Sequence, residues 1–269
     1  MPPRVYGRSL TSTRRPWPRW YTINNFLQID YVKDIYQAVL GMDSFNTVKG
    51  DPKSALSNIL KAMDLKSKEM KEIQIYTDND IRKVFDSVFY ARKYRDQIID
   101  TVGVAKFSQA FSKLQDSSLP YEERVLAIES LLSSQEAKED LRDMARELIH
   151  FMEPENYPLW TRWIWNKERG TGSITYVLKE GLKLEKDEDF FAAVKELKDT
   201  LSVFGLDVPN YFGTSIFLVY AYVRYVDYAT LLAVDRKAGG LYPSHLSTTA
   251  LVLGLKSYLK VIQVANSKS

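Results

Sequence analysis

Residues 187–205 read DEDFFAAVKELKDTLSVFG. Phe190, Val194, Leu197, Leu201 and Phe204 recur at steps of three and four, which gathers them on one face of an α-helix and scatters them over both faces of a strand. Asp187, Glu188 and Asp189 open the segment, where the positive end of the helix dipole favours carboxylates. Gly205 stands where a helix of this length ends. The acidic triplet is therefore read as capping and solvation, not as a pair of catalytic carboxylates.

The same period extends outward through the chain. Ile29, Val32, Ile35, Tyr36 and Leu40 form one stripe, ended by Gly41. Asp51-Pro52 opens a second helix with Leu56, Ile59, Leu60 and Met63 inside; proline suits a first helical turn. Thr77 or Asp78 caps one long helix to about Val102, with Ile81, Val84, Phe85, Val88 and Phe89 as its core. Residues 119–152 suggest a helical hairpin: Val125, Leu126, Ile128, Leu131 and Leu132, a turn at Ser133-Ser134, then Leu141, Met144, Leu148 and Phe151. A last helix runs from Ser247, its cap, to about Val264. The run Ile73-Gln74-Ile75-Tyr76 is too isolated to define a sheet. The expectation is an all-α protein, an irregular multi-helix bundle of eight to ten helices over residues 29–269, with a sub-boundary near 153–173.

Residues 211–234, YFGTSIFLVYAYVRYVDYATLLAV, are the one candidate membrane span. Arg224 and Asp227 near its middle, and its five tyrosines, speak against lipid contact. A central helix with Tyr220, Arg224 and Asp227 on one polar seam, the last two paired, fits better.

Composition narrows function. The 269 residues are 45% hydrophobic and 26% charged, ordinary globular values. There is no cysteine, which excludes disulfides, thiolate metal sites and cysteine nucleophiles and makes the cytoplasm the simplest location. The net charge is +3, yet residues 1–29 hold five arginines and no acid, so residues 30–269 carry −2. The body is near neutral, which argues against a broad nucleic-acid face on it.

The basic charge lies in an extended basic-aromatic arm, residues 1–28. It lacks the apolar stretch of a secretory signal, Arg14-Arg15 is not followed by the apolar segment of a twin-arginine signal, and its four prolines by residue 18 interrupt the amphipathic helix of a mitochondrial presequence. Arginine and tryptophan are favoured interface anchors, and proline limits the entropy lost on ordering. Trp17 and Trp20 are expected as apolar anchors, and Arg14, Arg15 and Arg19 as charge contacts.

Catalytic signatures are sparse. Glu147 and His150 form an E-x-x-H pair, half of a di-iron bundle site, but the only other histidine, His245, has no such partner. The pair is read as a polar patch at a helix end, and no metal or cofactor is expected. No G-x-S-x-G, P-loop or dinucleotide fingerprint occurs.

Residues 155–174, ENYPLWTRWIWNKERGTGSI, concentrate three of the five tryptophans. Trp160 and Trp163 would share a helical face and Trp165 would not. Packing in the core is the default reading, with Arg162 stacked on an indole. A ligand or anion site would use Trp160, Trp163, Lys167, Arg169, Thr171, Gly172 and Ser173, ahead of a helix from Ile174 to Leu182. The alternative is a turn capped by Ser173, and that reading is preferred.

These features suggest a non-catalytic subunit or assembly factor of a larger complex, attached through its arm to a protein partner or to a second copy. Nucleic-acid binding by the arm with Arg92, Lys93 and Arg95 is the first alternative. An enzyme or small-ligand binder using Trp160–Ser173 is the second.

Overall fold

The computed structural model describes residues 25–40, 52–233 and 245–266. Eleven α-helices occur among them, and the only β pairing is two isolated antiparallel bridges, Leu27 with Leu178 and Asn166 with Thr171. The helices are α1 (Ile29–Val39), α2 (Pro52–Glu72), α3 (Asp78–Asp86), α4 (Arg95–Thr101), α5 (Gly103–Gln115), α6 (Tyr121–Glu129), α7 (Gln135–Met152), α8 (Asp187–Phe204), α9 (Phe212–Ala233), α10 (His245–Val252) and α11 (Lys256–Asn266). The protein is all-α, with one helix more than the upper expectation.

Local signals set several boundaries. Thr77 caps α3 in a capping box with Asp80. Ser134 caps α7 by accepting the Ala137 amide at 3.3 Å. Gly205 ends α8 in the left-handed region, φ 103°. Gly41 and Asp51 lie outside the described residues.

Three sequence expectations need correction. The long helix expected to Val102 is broken after Asp86 and resumes at Arg95, with a 3-10 turn over Tyr90–Tyr94 between. The Ser87 hydroxyl donates to the Val84 carbonyl and the Arg92 guanidinium to those of Asp86 and Val88, so side chains satisfy the carbonyls freed by the break. The helix expected over 174–182 is only a 3-10 turn, Ser173–Val177, because the next backbone groups pair with the N-terminal segment. The last helix is two: Ser247 lies inside α10, and the chain turns at Gly254, φ 69°. There the Leu255 amide reaches back to the Ala250 carbonyl.

Two apolar clusters form the interior. One gathers α1, the first half of α2, residues 159–184 and α8 to α11; the other gathers α3 to α7 with Met70 and Ile75. α2 and α7 contribute to both, and they carry buried polar residues, among them Lys66, Asp143, Glu147 and His150. Residues 212–221 of α9 are buried all round, and among the described residues no helix is long and apolar enough to cross a membrane. Tyr220 donates to the Ala38 carbonyl at 3.1 Å. The side chain of Asp227, and so its expected pairing with Arg224, lies outside the described residues.

Candidate interaction site

The N-terminal segment joins the body through a compact clamp. The Glu196 carboxylate on α8 accepts three successive backbone amides: Asn25 at 3.1 Å and Phe26 at 3.2 Å on Oε2, and Leu27 at 3.0 Å on Oε1. Leu27 is wholly buried. On its other side the Gln28 amide donates to the Val177 carbonyl at 2.8 Å and the Lys179 amide to the Phe26 carbonyl at 2.9 Å. The expected anchors Arg14, Arg15, Trp17, Arg19 and Trp20 all precede this clamp and lie outside the described residues.

The tryptophan-rich stretch is irregular rather than helical, so the helical-face argument does not apply to it. Trp165 stacks on Trp160 and on Phe190 in the core, and Trp160 lies tilted against Phe190. The arginine on an indole is Arg146, 3.8 Å from the Trp160 ring centre, not Arg162. Arg162 is held instead by three carboxylates of α7: Glu139, Asp140 at 2.5 Å and Asp143 at 2.8 Å.

Residues 166–171 form a tight turn closed by the Asn166–Thr171 bridge. Lys167 points to Asp187 at the start of α8, 2.9 Å away, while Arg169 and Thr171 are exposed. Gly172, φ 129°, packs so closely on residues 164 and 165 that a Cβ would lie 2.8 Å from the Trp165 Cα. Ser173 is buried, with its amide on the Trp163 carbonyl. The backbone therefore draws Gly172 and Ser173 inward, away from Lys167, Arg169 and Thr171. The following 3-10 turn is too short to present an N-terminal anion site.

Trp163 stands apart from the other two indoles. It packs on Tyr90 and Tyr222, whose hydroxyls are 3.1 Å apart, and Tyr176 stacks on Tyr225 with ring centres 4.8 Å apart. Burial, followed by the neighbouring Tyr225 and Tyr222, pushes the Tyr176 hydroxyl up to about 12. This aromatic strip begins one residue before Val177, and so beside the clamp.

α7 carries a polar spine. Glu136, Asp140, Asp143, Glu147 and His150 succeed one another at steps of four, three, four and three along one face, with Glu139 beside Asp140. Lys93 binds Glu136 at 2.7 Å and Asp140 at 2.9 Å. Lys66 of α2, fully buried, holds Glu147 at 2.8 Å, donates to the Leu253 carbonyl at 2.8 Å and lies 3.7 Å from the Phe151 ring centre. Burial draws the two pKa values together, Lys66 down and Glu147 up, against their mutual attraction. The E-x-x-H pair is thus interior structure, not a polar patch at a helix end.

His150 places Nδ1 2.8 Å from the Tyr157 carbonyl and Nε2 3.0 Å from the Ser215 hydroxyl. This serine–histidine–carbonyl arrangement is sealed among Phe151 and Phe212, with both polar side chains buried, so it has the contacts of a catalytic dyad without access for a substrate. Burial, with Lys66 as a lesser cause, depresses His150 from 6.5 to about 4. Between those values the unfolded chain binds a proton that the native protein does not. Stability contributed by neutral His150 is complete above about pH 6.5 and is lost as pH falls towards 4, by on the order of 3 kcal/mol. Urea unfolding at pH 7.5 and 4.5 measures this, and His150→Gln is expected to flatten the difference.

The cations Arg92, Lys93 and Arg95, on the 3-10 turn and the start of α4, are also engaged within the chain. Arg92 binds backbone carbonyls, Lys93 binds α7, and Arg95 pairs with Asp86 and Asp96 at 3.1 Å each. Glu196, Lys66, Tyr176 and Tyr222 escaped the sequence reading because none has a motif around it. Comparison with family models, curated proteins and solved structures finds no match for this chain.

Proposed function

We propose that this protein is a non-catalytic subunit or assembly factor of the cytoplasm, whose helical body carries the Arg/Trp/Pro-rich residues 1–24 to a protein partner. The observation that supports this most is the clamp at the base of that segment. A carboxylate committed to Asn25, Phe26 and Leu27, backed by the buried Leu27 side chain, sets where the segment leaves the body and in which direction it starts. Fixing that end reduces the freedom a partner must remove on binding. The arginines and tryptophans beyond it supply charge contacts and large apolar area. Glu147, Asp140 and Asp143 of α7 are meanwhile committed to Lys66, Lys93 and Arg162.

Native mass spectrometry of the protein isolated from its source tests the proposal. The complex is expected to exceed the 31.0 kDa of one chain and to fall to that mass when residues 1–20 are removed or Trp17 and Trp20 are both changed to Ser. Glu196→Ala, which frees the base of the segment, is expected to weaken the complex about tenfold. An undiminished complex without residues 1–20 overturns the reading. A complex that dissolves on nuclease treatment assigns the segment to nucleic acid instead.

A further inference from the structure

We infer that Tyr176 and Tyr225 form an oxidative cross-linking site, in which hydrogen peroxide acting through a haem peroxidase joins the two phenols and fastens the base of the N-terminal clamp to α9. The site goes beyond the proposed function and is independent of what residues 1–24 bind.

Access and contact single out this pair. With no cysteine, the chain cannot answer an oxidant by forming a disulfide, whereas it carries 17 tyrosines. Two tyrosines couple only where their rings meet and an oxidant reaches them. Among the described residues three tyrosines are exposed: Tyr31, Tyr76 and Tyr225, the last at 51%. Of these only Tyr225 has a second tyrosine ring against it, that of half-buried Tyr176, with ring centres 4.8 Å apart and planes inclined by 29°. Tyr121 and Tyr157 lie as close, with ring centres 4.9 Å apart, and the hydroxyls of Tyr90 and Tyr222 are 3.1 Å apart, but none of these four residues is exposed.

The contact suits the chemistry. A phenoxyl radical holds much of its unpaired spin on the ring carbons beside the oxygen, so the new bond forms between two such carbons. Tyr176 and Tyr225 bring those edges together: after burial, the neighbouring Tyr225 is the largest cause raising the Tyr176 pKa. Each phenol gives up one electron and its hydroxyl proton, and the two radicals join through one carbon–carbon bond. The hydrogen on each joined carbon then moves to its ring oxygen, which restores both hydroxyls. The two electrons and two protons released reduce one hydrogen peroxide to two waters. Because the rings already touch, coupling is a unimolecular step that outpaces collision between chains.

The position gives the bond a consequence. Tyr176 lies in the 3-10 turn Ser173–Val177. The next residue, Val177, accepts the Gln28 amide, and the Lys179 amide donates to the Phe26 carbonyl. Tyr225 belongs to α9, whose residues 212–221 are buried. A covalent bond between the two ties the turn to the core, so a local opening that frees residues 26–28 has to displace α9 as well.

The test treats the full chain with a haem peroxidase and hydrogen peroxide and follows dityrosine by fluorescence, intact mass and peptide mapping. The expected product has the mass of one chain less two hydrogens and joins the peptides of Tyr176 and Tyr225. Tyr225→Phe and Tyr176→Phe, which keep both rings in place, are each expected to abolish it. No dityrosine, fluorescence that survives in both variants, or cross-links only between chains overturns the inference. Hydrogen exchange on the cross-linked protein tests the fastening. The Gln28 and Lys179 amides are expected to exchange about tenfold more slowly than before oxidation, and an unchanged rate overturns it.

Discussion

Lys66→Met is expected to destabilise the protein by about 3–5 kcal/mol, because it leaves the Glu147 carboxylate buried without its cation. The reason lies in where the pair sits. Lys66 is fully buried on α2, Glu147 almost so on α7, and the same ammonium also holds the Leu253 carbonyl beyond α10. One cation therefore joins three elements that are 81 and 187 residues apart in the chain. Removing the carboxylate by Glu147→Leu leaves the ammonium in the interior and is expected to cost a similar amount. Changing both together is expected to restore stability to within about 2 kcal/mol of the unaltered protein, since the remaining defect is the Leu253 carbonyl without a donor. Urea denaturation of the two single variants and the double variant measures the coupling. Additive losses would show that the pair does not act as a unit.

Gly254→Ala is expected to have a comparable effect through sterics alone, at least about 3 kcal/mol. Gly254 has φ 69°, a region in which a side chain is strained. A Cβ there would overlap the Ser87 carbonyl oxygen and lie 2.6 Å from its carbon, and that carbonyl is backbone that cannot rotate away. The turn between α10 and α11 would have to retreat, taking the Leu253 carbonyl from Lys66. Gly181→Ala is the matched control. Its φ is 77°, but nothing lies within 4 Å of the added Cβ, so only the backbone strain of about 1–2 kcal/mol remains. Thermal unfolding of the two variants separates the terms; equal losses would sink the close-packing argument.

Helix periodicity was legible where a single apolar stripe faces a single core. α8 runs from Asp187 to Phe204 with Phe190, Val194, Leu197 and Leu201 buried and Gly205 behind it, as its spacing predicts. α7 shows where that kind of reading stops. Its apolar stripe is legible, but Glu147 and His150 on another face read as a polar patch at a helix end. They are buried because α2 and α9 cover that face too, and the residues that satisfy them, Lys66 and Ser215, lie 81 and 65 positions away. The clamp has the same character. Glu196 occupies an ordinary polar position on α8, and nothing beside it in sequence indicates that residues 25–27 arrive there.

What the chain's sequence determined alone was local: helix class, most stripes, the ends at Thr77 and Gly205, the turn at Ser133-Ser134, and the placing of the net positive charge in the first residues. Tertiary structure decided where helices yield and which polar groups go inside. Residues 174–182 gave up helix because Val177 and Lys179 bond to Gln28 and Phe26, and the final helix broke at Gly254 where the chain packs against Ser87. A helix repeats within 3.6 residues, so a short window reveals it. Burial of a polar group depends on a partner brought in by the fold, at a separation no local pattern records.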